Sequence, residues 1–89
     1  MLPYSVAFTE QAAQARDSLT ADRRDLLERG LAILATDPRH KLSHSVLGDE
    51  STRGLALSRN LFIEYVISEG KLVVLVLTVI DLTDVLFED

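Results

Sequence analysis

The chain has 89 residues and a mass of 9.9 kDa, room for one domain spanning residues 1–89, and its 47% hydrophobic and 26% charged composition is that of a folded globule. Without cysteine it can hold no disulfide, thiolate metal site or thiol nucleophile, and two histidines are too few for an all-histidine zinc site. The formal net charge of -5 gives a polyanionic partner no help from the overall field.

Leu2, Tyr4, Val6 and Phe8 alternate with Pro3, Ser5 and Ala7, which predicts a strand with one large apolar face. Thr9 and Glu10 then suit a helix start. Ala12, Ala15 and Leu19 recur at helical spacing, and their small size predicts close packing against a neighbour. Ser18 or Thr20 can cap a second helix, with Asp22 in its first turn and Leu27, Leu31 and Leu34 as its apolar stripe, widened by Leu26 and Ile33. Gly30 inside that helix costs about 1 kcal/mol relative to alanine, so a close approach is expected there, with the first helix as the candidate neighbour. Asp37 and Pro38 end the helix, because proline disfavours helical backbone in the residue before it.

Residues 39–54 are polar and read as a loop with a short extended piece around Val46 and Leu47. It holds the chain's one basic cluster: Arg39, His40 and Lys41, with His44 four residues from His40. These residues are candidates for an RNA or partner contact, and with no third ligand nearby no metal site is expected. Three strands are then predicted: a short one at Leu55–Leu57, one at Leu61–Ile67, and one at Lys71–Val79 apolar enough to be buried on both faces. Glu64 interrupts the second of these and reads as an outward-facing residue. The fold class expected is α+β: an N-terminal strand, a helical hairpin, then a three-stranded antiparallel meander, in a sheet of about four strands.

The last nine residues carry four acids, Asp81, Asp84, Glu88 and Asp89, which leaves ten acids against nine bases before them. No secretory signal is visible in Met1–Ser5, and the apolar run from Leu72 to Ile80 is too short to span a bilayer as a helix, so a cytoplasmic protein without membrane contact is expected.

Tyr4–Ala12, the helix end at Leu34–Arg39, the pair Leu47-Gly48 and the hairpin Ile63–Val79 together resemble the RelE/ParE toxin superfamily, in the same order and over most of the chain. The resemblance implies a toxin of a type II toxin–antitoxin pair, neutralised by a cognate antitoxin segment that wraps around it, and no cofactor. It implies two kinds of target: messenger RNA on the ribosome, cut by the RelE branch, or DNA gyrase, bound by the ParE branch. The oligomeric state is open between a homodimer and a toxin–antitoxin hetero-oligomer.

RNA cleavage through a ribose 2'-hydroxyl needs a base, an acid and cations for the charge on phosphorus. The family supplies basic residues on the meander and near the C-terminus. Here the position of the strand arginine falls at Leu61 or Phe62, Phe87 lacks a hydroxyl, and Asp81 and Asp84 would repel phosphate. The candidate substitutes are Arg53 and Arg59, flanking the short strand, and the Tyr65 phenol as an acid. The alternative function is a non-catalytic interaction module of the same fold that has lost ribonuclease activity.

Overall fold

A computed structural model describes residues 4–82. Its elements in chain order are β1 (Ser5–Phe8), α1 (Glu10–Asp17), α2 (Ala21–Thr36), β2 (His44–Val46), β3 (Asp49–Ser58), β4 (Leu61–Ser68) and β5 (Val73–Asp81). The five strands form one sheet in the order β1-β5-β4-β3-β2. Strands β2 to β5 run as an antiparallel meander, and β1 lies parallel to β5 at the far edge, with Ser5 opposite Val73 and Phe8 opposite Val76.

The two helices cover one face of the sheet, and strand periodicity fixes which side chains meet them. In β4, Leu61, Ile63, Tyr65 and Ile67 are buried while Phe62, Glu64, Val66 and Ser68 are half-buried. In β5, Val74, Val76 and Val79 point to the helices. The step from Val76 to Val79 breaks strict alternation because a bulge opposite Glu64 and Tyr65 inserts one residue, Leu77, into β5. The Leu77 carbonyl accepts a hydrogen bond from Thr9 Oγ1 at 3.0 Å, and Thr9 Oγ1 in turn accepts from the Ala12 amide at 3.1 Å as the cap of α1. Strand β5 is therefore covered on one face, not both: its run of valines and leucines reflects a central position between β1 and β4.

Helix α2 buries Leu27, Gly30, Leu31, Leu34 and Ala35, leaves Leu26 half-buried, and exposes Ile33 at 48%. Thr20 is its N-cap residue but makes no side-chain cap bond. The close approach at Gly30 is to β3 and not to α1: a Cβ there would run into the end of the Leu57 side chain. Arg23, in the first turn of α2, donates to the carbonyl of Asn60 at 3.0 Å and to Asn60 Oδ1 at 2.8 Å, and pairs with Asp81 at 2.9 Å. Asp81 thus helps tie the end of β5 to the helix layer. Asp84, Phe87, Glu88 and Asp89 lie outside the described residues.

Two elements exceed the pattern in the side chains. Strand β3 begins at Asp49, six residues before its apolar part, because Thr52, Arg53 and Gly54 pair through their backbone with Val66, Tyr65 and Glu64 of β4. Strand β2 folds back on it through a turn at Leu47 and Gly48, both with positive φ (57° and 79°), the handedness that suits a two-residue hairpin. The meander therefore has four strands, and the sheet five.

Candidate functional site

The sheet presents two chemically different faces. On the helix side, Arg53 and Tyr65 are cross-strand partners, both buried. The Tyr65 hydroxyl donates to the carbonyl oxygen of Pro38 at 2.6 Å. Arg53 Nε donates to Ser43 Oγ at 2.9 Å, its Nη2 to the Ser43 carbonyl at 3.3 Å, and its Nη1 to Glu50 at 2.9 Å. Ser43 Oγ in turn donates to the carbonyl of His40 at 2.7 Å. These bonds pin the segment from Pro38 to Ser43 against the sheet and satisfy a guanidinium that would otherwise be costly to bury. Burial pushes the Tyr65 phenol up from its ordinary value, opposed in part by Ser43 and Arg53, so the hydroxyl stays protonated and able to donate.

Arg59 lies in the exposed turn between β3 and β4, six residues from Arg53 along an extended strand, or about 20 Å. Arg53, Arg59 and Tyr65 therefore do not share one concavity. The basic cluster is also spread out. Arg39 is ion-paired with Glu69 of the turn between β4 and β5. Lys41 is exposed. His40 accepts a hydrogen bond from the Leu42 amide through Nδ1 and borders a groove of about 200 Å³ between α2 and β3, where Leu26, Ile33, Leu42 and Leu57 form the apolar walls. His44 sits at the other side of the sheet. The four-residue spacing of the two histidines does not become a helical face, because the segment between them is a turn leading into β2. No group of three metal-ligating side chains occurs among the described residues.

The open face is formed by alternate residues. Thr52, Gly54 and Ala56 of β3 lie beside Val66, Glu64 and Phe62 of β4, which lie beside Leu75, Thr78 and Ile80 of β5. His44 is opposite Gly54, and its imidazole lies so close over that glycine that a Cβ there would come within 3.0 Å of Nε2. A cavity of about 220 Å³ opens at this point, lined by His44, Gly54, Phe62, Glu64 and Ile80. None of the nine lysines and arginines occupies an open-face strand position. Of the positions where the resemblance looks for a strand arginine, Leu61 is in the core and Phe62 is on this face. The cavity itself was hidden from the sequence, because it depends on His44 standing opposite Gly54. Only the outward direction of Glu64 was readable from alternation.

This architecture is the α+β fold of RelE toxins. No protein-family model matches the chain, and no curated protein does. Among solved structures, the intact RelBE toxin–antitoxin complex of E. coli superposes with a TM-score of 0.77 at 23% identity, over 88% of this chain and 95% of that one. The RelBE2 toxin–antitoxin complex of Mycobacterium tuberculosis gives 0.73 at 20% identity, over 89% and 98%. The archaeal RelE–RelB complex of Pyrococcus horikoshii OT3 gives 0.70 at 20%, over 91% and 96%. At these identities the likeness establishes the fold.

Proposed function

We propose that this chain is the toxin-type member of a type II toxin–antitoxin module, held inactive by an antitoxin segment. Three similar structures, from E. coli, M. tuberculosis and P. horikoshii, are complexes of a RelE with a RelB. The observation that carries the reading for this chain is a sheet with one face that, among the described residues, no helix covers and that is largely apolar, in a fold that those proteins use as a partner-bound unit. The same face favours action by binding over RNA cleavage, since no lysine or arginine stands on it to neutralise a phosphorane-like charge. Arg53 and Tyr65 act in this reading as the clamp that positions the Pro38–Ser43 segment, and Arg39, His40 and Lys41 offer a local contact for the partner. The cytoplasm is the expected compartment. Among the described residues no helix is long and apolar enough to cross a membrane.

Induced expression of the chain alone, and together with the small reading frame beside its gene, tests the proposal. Growth arrest relieved by the neighbour supports the toxin reading. Arrest with intact message points to a target such as gyrase. Cleavage of ribosome-bound message would overturn the non-cleaving part. A second reading, an interaction module without toxicity, is favoured by the same lack of cations, and it predicts no arrest at all.

A further inference from the structure

We infer that the open sheet face takes a basic protein segment, with an arginine guanidinium seated on the Glu64 carboxylate and lying against the Phe62 ring. Glu64 is half-buried, and its carboxylate makes no ion pair or side-chain hydrogen bond among the described residues. Among the open-face positions that β3, β4 and β5 pair with one another, from Thr52 to Ala56 in β3, it is the only charged side chain, amid Ala56, Val66, Leu75 and Ile80. A carboxylate left without a partner in half-buried apolar surroundings is a strong acceptor for a cation that brings its own donors.

The cavity over Gly54 gives that cation a shape to fill. Phe62 is two residues from Glu64 on the same strand face, so its ring stands about 7 Å along the strand from the carboxylate-bearing position. A planar guanidinium can meet both, with paired N–H bonds to the carboxylate and its face on the ring, which a lysine ammonium cannot reproduce. The missing side chain at Gly54 makes room for the His44 imidazole, which forms one wall of the cavity, and Phe62, Glu64 and Ile80 line the rest of it. Charge complementarity selects the occupant class. Among the described residues, a face whose paired strand positions carry one carboxylate and no lysine or arginine, on a chain of net charge -5, attracts a basic peptide and repels a phosphate backbone. The inference rests on the toxin–antitoxin reading only for the identity of the segment, which would be the antitoxin's.

The test is titration of the isotope-labelled full chain, followed by NMR at the amides of Gly54, Glu64 and Thr78, with three probes: a short alternating arginine–leucine peptide, its glutamate–leucine counterpart, and a single-stranded oligouridylate. The arginine peptide should move these amides, the other two should not, and Glu64→Gln should weaken the arginine peptide by about tenfold or more. Phe62→Leu, which keeps an apolar side chain, should weaken it less. Unchanged affinity in Glu64→Gln overturns the inference, as does movement of the same amides by oligouridylate but not by the arginine peptide. The neighbouring gene's product separates the two claims. If it binds and relieves arrest equally well in Glu64→Gln, the toxin reading stands and this inference falls. If it does not bind while the arginine peptide does so through Glu64, the inference stands and the toxin reading falls.

Discussion

Tyr65 shows how a residue typical of catalytic sites can be held for structure. Its phenol is buried, donates to the Pro38 carbonyl and is kept protonated by desolvation. Tyr65→Phe removes the donor and leaves that carbonyl unpaired, which should cost about 1–3 kcal/mol in urea unfolding. A loss much below that range would mean water replaces the bond. The pH dependence has a definite sign. A phenol whose folded pKa lies above its unfolded value, near 10 for tyrosine, stabilises fully below that value and loses the contribution as pH rises through the folded pKa. Unfolding measured from neutral to strongly alkaline pH should show a fall in stability that begins near pH 10, and Tyr65→Phe should flatten it. At this scale the sequence was only partly readable. The alternation of β4 assigns Tyr65 to the buried face, but nothing in the sequence reveals that Arg53 is its cross-strand neighbour. That pairing depends on the register of a polar stretch with no hydrophobic pattern of its own, and it brings both side chains against the Pro38–Ser43 segment.

The contact between α2 and β3 turns on Gly30 and Leu57. Alanine at Gly30 would gain about 1 kcal/mol of helix propensity, yet its Cβ meets the Leu57 side chain. Leu57 is half-buried and packs on the core, so its displacement carries a cost typical of overpacking, about 1–3 kcal/mol. Gly30→Ala should therefore destabilise the wild-type chain by about 0–2 kcal/mol, and stabilise the Leu57→Ala background by up to about 1 kcal/mol. A double-mutant cycle by thermal unfolding reads the sign change, and equal effects in both backgrounds would place the close contact elsewhere. The helices and β4 were legible because their apolar periods differ clearly, 3.6 against 2, β5 because it is a short valine-rich apolar run, and all of them because Pro38 and the turn residues punctuate them. Strand β2 showed only as a short extended piece around Val46 and Leu47, of which Leu47 belongs to the turn, and the first half of β3 did not show at all. Their pairing is carried by backbone hydrogen bonds under polar side chains, and Asp49, which caps the turn by accepting from the Ser51 amide, reads in sequence as a loop residue. The parallel contact of β1 with β5 was equally silent, since alternation identifies a strand without naming its neighbour.

For the whole molecule, the decisive quantity is where the nine bases go. Arg16, Arg23, Arg29, Arg39 and Arg53 are each ion-paired, and Arg24 donates to the carbonyls of Asp17 and Leu19. Among the described residues, Lys41, Arg59 and Lys71 make no ion pair, and they sit in three different connections: Lys41 after α2, Arg59 between β3 and β4, Lys71 between β4 and β5. Scattered cations on a chain of net charge -5 cannot follow a phosphate backbone, whose binding strength grows with the number of phosphates neutralised together. The purified chain should therefore show no saturable binding to single-stranded RNA at about 0.15 M ionic strength, where surface charges more than about 8 Å apart are screened. It should also leave that RNA uncut. Fluorescence anisotropy over a range of salt concentrations measures this directly. A log–log slope of several released counterions would show that the bases do converge on RNA, and would restore the nuclease reading that the face between β3 and β5 argues against.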